Sequence, residues 1–347
     1  MNTLRMIAWE ITRQCNLSCI HCRASAEHGP YPGELTTSEC LKLLDDTASF
    51  SNPVIILTGG EPLLREDIFQ VARHGTEKGL RMVMAVNGTL VDEKVAQKMQ
   101  DAGIQRISVS IDGGTAESHD RFRQVPGAFE RAIQGIRLAK KVGLEFQINT
   151  TITPENRHEL SDILDLAIDL GAAAHHVFLL VPTGRGKELQ EQHVTAQDYE
   201  ETLTWFYDQK EKSPLHLKAT CAPQFYRILR QKARIEGKHV TSENFGLDAT
   251  TRGCLGGISF CFISHVGQVQ PCGYLDLNCG NIRENPLEYI WTKSSIFRDL
   301  RDFGNYKGRC GLCEYRKVCG GCRARAYEMS GDHLEEEPYC AYEPRCS

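Results

Sequence analysis

The sequence predicts an α/β chain: an open or partial barrel of six β/α units, followed by a small cysteine-rich domain. From the N-terminus to about Gly186, short apolar runs alternate with amphipathic stretches, which is typical of a parallel sheet with helical crossovers. Six units are too few for a closed barrel of eight. From Cys254 onward, glycine, cysteine and short apolar pieces replace the long helical patterns, so we expect bound metal to supply folding energy there.

Each predicted strand is a short apolar run, and each predicted helix has one apolar face. The unbroken apolar run Val54–Leu57 indicates a strand that is covered on both faces. The predicted strands are Met6–Ile11, Val54–Leu57, Met82–Val86, Ile107–Ile111, Phe146–Thr150 and Val177–Val181. The predicted helices are Ser38–Phe50, Asp67–Lys78, Glu93–Asp101, Ala128–Val142, Glu155–Leu170, Thr195–Lys212 and Pro223–Ile235. The predicted parts are the barrel (1–187), a helical linker (188–253) and the cysteine-rich domain (254–347).

Composition excludes several classes of protein. The 347 residues carry a net charge of −5 without basic blocks, so we expect no nucleic-acid partner. No apolar run approaches the ~18 residues of a membrane span, and Met1–Cys15 has no signal-like apolar core. Of the 15 cysteines, ten fall in the last 94 residues. Since the cytoplasm keeps thiols reduced, an odd, clustered set without an export signal predicts a cytoplasmic protein that uses cysteine for metal or redox chemistry.

The first cysteine group has the spacing Cys15-x3-Cys19-x2-Cys22 and follows the first strand. Three thiolates this close can hold one face of an iron–sulfur cube and leave one iron open for a ligand. A zinc site or a trio of structural cysteines is the alternative. Zinc would need a fourth nearby ligand, and His21 sits awkwardly inside the Cys19–Cys22 pair.

Polar groups and glycines follow three of the predicted strands, where ligands bind in parallel α/β architectures. Glycines there let backbone carbonyls approach a ligand, and a carboxylate can receive an ammonium group. Each short motif can also be only a cap or a turn. The motifs are Thr58-Gly59-Gly60-Glu61-Pro62, Asn87-Gly88-Thr89 and Ser110-Ile111-Asp112-Gly113.

Together these motifs resemble the radical S-adenosylmethionine (SAM) superfamily over roughly Arg5–Gly186. The resemblance implies a partial (β/α)6 TIM-like barrel in which Cys15, Cys19 and Cys22 hold a catalytic four-iron (4Fe–4S) cluster, whose open iron binds SAM. It also implies that the Gly-Gly-Glu-Pro motif receives the methionyl ammonium, that Ser110 and Arg123 contact the methionyl and ribose parts, and that Val177 offers backbone to the adenine. A solvated arginine at a helix end is the alternative for Arg123. The full implied SAM site is Gly59, Gly60, Glu61, Pro62, Asn87, Ser110, Asp112, Arg123 and Val177.

The C-terminal cysteines resemble the SPASM extension, which binds two auxiliary 4Fe–4S clusters. A zinc ribbon is the alternative, but it separates its cysteine pairs by about 15–20 residues, whereas five residues separate Cys313 from Cys319. The resemblance implies an outer set of Cys310, Cys313, Cys319 and Cys340, and an inner set of Cys254, Cys261, Cys272 and Cys322. Without Cys261, the inner cluster would have an open iron for substrate. The remaining cysteines are Cys279 and Cys346 as spare candidates, and Cys40 and Cys221 as expected ordinary buried thiols.

Stretches around both cysteine regions resemble the haem-forming branch of the superfamily. This implies oxidative decarboxylation of two propionates of Fe-coproporphyrin III to vinyl groups, giving haem b, through hydrogen abstraction by a 5′-deoxyadenosyl radical. A low-potential ferredoxin or flavodoxin is the expected electron donor. A didecarboxysirohaem deacetylase, a peptide-modifying maturase and a non-catalytic iron–sulfur carrier are the alternatives. Candidate propionate anchors are Arg23, Arg121, Arg185, Lys187 and Arg252, and candidate haem-iron ligands are His175 and His176; for all seven the alternative is an ordinary surface or core role.

Overall fold

The computed structural model describes residues 3–192 and 194–345. Its strands within these residues form one sheet in the order β10-β9-β8-β1-β2-β3-β4-β5-β6-β7. They are β1 (Met6–Thr12), β2 (Val54–Gly59), β3 (Arg81–Val86), β4 (Arg106–Ser110), β5 (Glu145–Ile152), β6 (Ala174–Leu179), β7 (His216–Thr220), β8 (Phe260–Ile263), β9 (Gln268–Gln270) and β10 (Gly280–Asn281).

Eight neighbouring strands, β8 and β1 to β7, run parallel. β8 comes from the cysteine-rich part of the chain and pairs with β1, with Cys261 opposite Ile7. β9 and β10 continue that edge in antiparallel fashion. Within the described residues β7 and β10 end the sheet without pairing with each other, so the predicted open barrel of parallel strands is confirmed.

Helices connect the parallel strands and cover the sheet. No helix in the described part of the chain is long and apolar enough to cross a membrane. The helices are α1 (Thr37–Phe50), α2 (Ile68–Glu77), α3 (Glu93–Asp101), α4 (Ala116–Arg123), α5 (Ala128–Lys141), α6 (Leu160–Leu170), α7 (Ala196–Lys210), α8 (Gln224–Ile235), α9 (Ser242–Phe245), α10 (Leu247–Thr250), α11 (Leu287–Lys293), α12 (Ser295–Arg301), α13 (Gly308–Leu312) and α14 (Arg323–Ser330), with 3₁₀ turns at Pro62–Leu64, Arg157–Glu159, Gly184–Gln192 and Phe303–Asn305.

Local sequence explains where the elements begin and which face they bury. Thr36 starts α1 with a capping box, in which its hydroxyl accepts from the N–H of Glu39 and the Glu39 carboxylate accepts from the N–H of Thr36. Alternate residues of the central strands, such as Met82 and Met84 of β3, are fully buried. The main core therefore lies between the sheet and its covering helices.

The sequence missed the four strands β7 to β10, of which β7 and β8 extend the parallel part of the sheet beyond the six predicted units. β7 reads His-Leu-Lys-Ala-Thr, a composition with few strand-forming residues. β8 lies among the glycines and cysteines of the third part. The division into residues 1–187, 188–253 and 254–347 stays a prediction, and in the structure β7 and β8 join its second and third parts to the barrel sheet.

A buried acid in β1 ties three segments together. Glu10 is fully buried, and Arg23 Nη2 lies 2.5 Å from its Oε2, while Arg13 Nη2 and His265 Nδ1 lie 3.0 and 2.8 Å from its Oε1. Burial alone would raise the pKa of Glu10, but Arg23, His265 and Arg13 lower it well below its ordinary value. Glu10 therefore stays ionised and anchors both the loop after β1 and the turn after β8.

Replacing Glu10 with Gln should destabilise the fold, because two arginines lose their counter-charge in a partly buried place. We expect a loss of about 3 kcal/mol, the lower end for a broken buried pair, by anaerobic urea unfolding. The control is Glu145→Gln, which breaks an exposed pair with Arg106 and should cost less than about 1 kcal/mol. Since the pKa of Glu10 is lowered in the folded state, the difference should hold above about pH 4.3 and shrink as the pH falls further. A Gln variant as stable as the parent would contradict this role.

Candidate active site

The loop after β1 carries three thiols that lie together at the carboxyl ends of the parallel strands. Cys15, Cys19 and Cys22 belong to one small cluster with Leu17 and Ala26. All three thiol-bearing residues line a single cavity of about 160 Å³. The structure thus brings the three predicted cluster ligands to one space.

Each of these sulfur atoms accepts a hydrogen bond. The backbone N–H of Leu17 donates to Cys15 Sγ at 3.4 Å, and that of Ala26 donates to Cys22 Sγ at 3.3 Å. Arg123 Nη1 donates to Cys19 Sγ at 3.4 Å. Such bonds stabilise a thiolate and tune the potential of an iron–sulfur cluster.

Burial makes these thiols dependent on a positive partner. It raises the pKa of Cys15 to about 12 and also raises the pKa of Cys19, which Arg123 opposes. A bound metal supplies the charge that removes such protons. Within residues 3–192 and 194–345, no three Cys, His, Asp or Glu side chains close on the position of a single ion. A zinc ion needs ligands about 2.0–2.3 Å from one point, whereas the three thiols line one cavity of about 160 Å³, which leaves room between them for a larger group such as an iron–sulfur cube.

Gly59 and Gly60 hold the end of β2 against the cysteine loop. The N–H of Gly60 donates to Thr12 O at 2.9 Å, and the N–H of Glu61 donates to Gln14 O at 2.7 Å. A Cβ on Gly59 would lie 2.1 Å from Thr12 O, and one on Gly60 would lie 2.1 Å from Gln14 O. Only glycine permits this approach of two backbones, and both glycines line the cavity.

The Glu61 side chain lies behind the cavity wall. Its fully buried carboxylate accepts from the N–H of Leu63 at 3.2 Å and from the N–H of Asn87 at 2.7 Å. Burial raises the pKa of Glu61 to about 7. Pro62 begins the 3₁₀ turn that positions Leu63, and Asn87 itself lines the cavity. The role of Glu61 toward the methionyl ammonium stays a prediction.

A buried ion pair forms another wall of the site. Ser110 and Arg123 line the cavity, and Arg123 Nη2 donates to Asp112 Oδ2, whose other oxygen accepts from the N–H of Thr151 at 2.6 Å. Burial opposes the charge of Arg123, but Asp112 and then Cys19 raise its pKa. Arg123 is 6% exposed, so the solvated alternative is wrong. Its Nε is buried without a partner, which leaves a donor for a ligand.

Val177 does not line this cavity. It lies within β6, paired with Thr150 of β5 and Ala219 of β7, and packs in the apolar core. The sequence placed this strand at Val177–Val181, but β6 ends at Leu179. Leu179–Val181 line the cavity instead, so the structure does not place Val177 at the site, and a backbone contact to adenine stays a prediction.

Two of the candidate propionate anchors contact the cysteine loop. Arg23 lines the cavity; it is ion-paired with Glu10, and its guanidinium lies 4.6 Å from the ring centre of Phe262. Arg185 Nε donates to Cys19 O at 2.8 Å, and its Nη2 is buried without a partner. Both arginines therefore fix the loop as well as carrying charge.

The other candidate anchors lie in different places. Lys187 Nζ lies 2.9 Å from Glu328 Oε2. Arg252 stacks 3.9 Å from the ring centre of Phe303, beside the outer cysteines rather than at the mouth of the barrel. Arg121 is exposed. None of these three lines the cavity at the first cysteine group.

The paired histidines have protein partners. His175 is fully buried, with Nε2 2.9 Å from Thr150 Oγ1, and burial lowers its pKa to about 4. His176 Nδ1 lies 3.0 Å from Gln147 Nε2. Each histidine thus has a protein partner through one ring nitrogen, and neither lines the cavity at the first cysteine group; binding of haem iron by either stays a prediction.

The four predicted outer cysteines surround one small cavity of about 20 Å³. Three of them accept hydrogen bonds through sulfur. Cys310 accepts from the N–H of Glu337 at 3.3 Å and from Arg323 Nη2 at 3.4 Å. Cys313 and Cys319 each accept from the N–H two residues ahead, at 3.4 Å. The set is Cys310, Cys313, Cys319 and Cys340.

Three of the predicted inner cysteines lie together. Cys272 and Cys322 pack in one apolar cluster around Val181, and the N–H of Cys254 donates to Cys319 O at 3.3 Å, three residues before Cys322. Cys261 does not join them, because it is held in β8 against β1, in the main core.

Four cysteines lie outside the three predicted ligand sets. Cys40 is fully buried in α1, as expected of an ordinary thiol. Cys279 packs against the main core. Cys346 lies outside the described residues. Cys221, predicted to be an ordinary thiol, packs against the inner cysteines instead, and no motif in the sequence marks it.

Comparison with known proteins decides the family. The Radical SAM superfamily model matches residues 9–167, and the SPASM model, an iron–sulfur cluster-binding domain, matches residues 254–323. An AdoMet-dependent heme synthase from Nitratidesulfovibrio vulgaris is 57% identical over 343 residues, covering 99% of this chain and 94% of its own. The chain belongs to the radical SAM superfamily.

This radical SAM enzyme has further relatives. An Fe-coproporphyrin III synthase from Methanosarcina barkeri is 31% identical, covering 96% of this chain and 85% of its own. The crystal structure of Streptococcus suis SuiB bound to S-adenosylmethionine has a TM-score of 0.79 at 14% identity, covering 98% of this chain and 78% of its own, which shows a shared fold. The predicted cofactors, 4Fe–4S clusters and SAM, are confirmed by the two domains.

Replacing Cys15, Cys19 and Cys22 together with alanine should remove the catalytic cluster and leave the auxiliary ones. Iron should fall from about twelve to about eight atoms per chain, and reductive cleavage of SAM to 5′-deoxyadenosine should cease. Both are measured on anaerobically reconstituted protein. Cys40→Ala is the matched control and should keep iron and cleavage. Cleavage by the triple variant would contradict the assignment.

SAM should bind more tightly as the pH rises through about 7, because Glu61 then loses its proton and its charge, directly behind the cavity wall, attracts the methionyl ammonium through space. In Glu61→Gln, which carries no charge at any pH, this dependence should vanish. Equilibrium binding of SAM to the reconstituted protein across this range measures it. A pH dependence that persists in Glu61→Gln would assign the titration to another group.

Proposed function

We propose that this radical SAM enzyme forms haem b by decarboxylating two propionates of Fe-coproporphyrin III to vinyl groups. The observation that carries the proposal is the 57% identity to an AdoMet-dependent heme synthase over 99% of the chain. That similarity spans both the catalytic thiols and the C-terminal cysteines. The Fe-coproporphyrin III synthase is the more distant relative, at 31% identity. The higher identity to the heme synthase therefore favours haem formation over the alternative reaction, the deacetylation of didecarboxysirohaem.

The reaction needs a radical source on one side of the substrate and an electron acceptor on the other. When bound, the catalytic cluster and SAM supply a 5′-deoxyadenosyl radical that removes a hydrogen atom from the propionate Cβ, and loss of CO₂ then leaves one electron for an auxiliary cluster. The chain's own contribution is to place the two sites on either side of one space and to hold the substrate there.

Tyr274 lies between the two sites. It lines the catalytic cavity, and it packs in the apolar cluster that contains Cys272 and Cys322. Burial raises the pKa of Tyr274, so its phenol stays protonated and can donate a hydrogen bond to a carboxylate. A substrate beside Tyr274 is therefore close to the catalytic thiols on one side and to the inner thiols on the other.

The cavity offers both charge and apolar walls to a tetrapyrrole with carboxylate arms. Two arginines, Arg23 and Arg123, line the cavity. Arg123 bonds to Cys19 and Asp112, which leaves Arg23 as the candidate cation for a substrate carboxylate. Leu180 and Val181 supply apolar surface. We infer that Arg23 receives one carboxylate while Glu10 keeps its guanidinium in place.

Two further properties belong to this proposal. The many thiols need a reducing compartment, so we place the enzyme in the cytoplasm. Its catalytic cluster needs a strong reductant, at about −400 mV or lower, which a ferredoxin or flavodoxin of low potential would supply.

Incubation with Fe-coproporphyrin III, SAM and dithionite without oxygen should give a product that has lost two CO₂ and four hydrogen atoms by mass, as two vinyl groups require; loss of CO₂ alone would leave ethyl groups. Two molecules of 5′-deoxyadenosine should form per haem, because each propionate needs one hydrogen abstraction. Didecarboxysirohaem is tested in parallel, and the Cys15, Cys19 and Cys22 variant is the control. Conversion of didecarboxysirohaem alone would assign the deacetylase reaction, and no change in either would favour a peptide substrate.

A further inference from the structure

Cys221 occupies an unusual place in the backbone. It lies in the loop between β7 and α8, and its φ is +53°. Ser25 and Gln124 are the other non-glycine residues in the described part of the chain with positive φ. A side chain other than glycine is strained in this left-handed region and is kept there where the surroundings require it. The strain therefore calls for a reason at Cys221.

The surroundings of Cys221 are the inner cysteines. Cys221 and Cys272 pack in the same apolar cluster as Cys322, around Val181 and Leu275. Cys254 lies beside them, because its N–H donates to the carbonyl of Cys319, three residues before Cys322. Four thiols from four separate segments of the chain thus converge on one place.

Cys261, the fourth member that the cysteine spacing indicates, lies elsewhere. It is fully buried in β8, opposite Ile7 of β1, and it belongs to the main core, against which Cys279 also packs. To reach the inner cysteines, it would have to leave a strand that holds the edge of the parallel sheet. The sheet therefore excludes Cys261 from the inner set.

We propose that Cys221 is the fourth protein ligand of the inner auxiliary 4Fe–4S cluster, in the position that the spacing gives to Cys261. The inner set is then Cys221, Cys254, Cys272 and Cys322, and every iron of that cluster has a thiolate. Such a cluster would take up an electron from the substrate without binding the substrate itself. This assignment concerns the chain's own ligands and holds for whichever molecule the enzyme decarboxylates or oxidises.

A closed inner cluster also explains the path of the chain after β6. The segment 188–253 carries β7, which pairs with β6, and the loop after β7 delivers Cys221 to thiols of the C-terminal region. A metal bond from this loop would link the barrel to the cysteine-rich domain. The left-handed φ of Cys221 would then be offset by the strong bond that it permits.

The test uses the variant in which Cys15, Cys19 and Cys22 are alanine, so that only auxiliary clusters contribute iron and EPR signals. Adding Cys221→Ala should either remove about four iron atoms or leave a cluster whose EPR signal shifts when cyanide or imidazole is added. Cys261→Ala in the same background is the matched control and should keep the iron and the spectrum of the parent.

A second variant guards against misfolding. Cys221→Ser keeps the size of the side chain and replaces sulfur with oxygen, a weaker ligand atom. The folded protein should therefore retain its iron, and the EPR signal of one auxiliary cluster should change. Spectra of both Cys221 variants identical to the parent, with no response to cyanide or imidazole, would overturn the proposal. So would the loss of iron, or a response to these ligands, in Cys261→Ala. Because iron and EPR are the readouts, the result does not depend on the substrate.

Discussion

The structure depends on one constraint: the cysteine sulfurs that bind clusters must be anionic although they are buried away from water. A buried thiolate is costly unless donors or positive charge surround it. At the catalytic loop the sulfur atoms of Cys15, Cys19 and Cys22 each accept one N–H bond. The backbone must therefore curl around each sulfur, and this requirement shapes the loop as much as the ligands do.

The same constraint explains three buried arginines. Arg123, Arg323 and Arg325 are 6%, 1% and 0% exposed, and burying such a charge is expensive on its own. Arg123 and Arg323 donate to Cys19 and Cys310 respectively.

Arg325 provides the buried cation at the inner thiols. It is held by Glu337 at 2.8 and 3.0 Å, and its charge lowers the pKa of Cys322 against the effect of burial. Cys322 also caps the N-terminus of α14, whose dipole favours a negative sulfur. Each thiol set therefore has its own buried cation, and a bound cluster would complete the charge balance.

The sequence could predict what depends on local spacing. Cys15, Cys19 and Cys22 are close along the chain, so their spacing alone brings them together, and the apolar run of β2 marks the strand that carries Gly59 and Gly60. It could not predict what depends on distant contacts. Lys218 and Ala219 give β7 little strand character, and β7 forms because β6 offers it an edge.

Cys221 and Cys261 show that cysteine spacing alone can miss a candidate ligand and can also indicate a wrong one. The spacing of Cys261 from Cys254 indicates a cluster ligand, but β8 places the Cys261 side chain in the main core. Cys221 has no cysteine near it in the chain, and only the fold brings it to Cys272 and Cys322. Spacing identifies ligands within one loop, whereas a ligand set drawn from several segments depends on tertiary structure.

The order of the three thiol sets gives electrons separate ways in and out. Tyr274 lies between the catalytic cavity and the inner set, and Cys319 and Cys322, three residues apart, belong to the outer and inner sets. The N–H of Cys254 donates to Cys319 O at 3.3 Å, so the two sets also touch through their backbones. Beside the outer set, Leu312 is 80% exposed. In the proposed reaction, an electron released from substrate near Tyr274 would therefore leave through clusters at the inner and outer sets to the surface. It need not return through the catalytic cluster, which must stay available to reduce the next molecule of SAM.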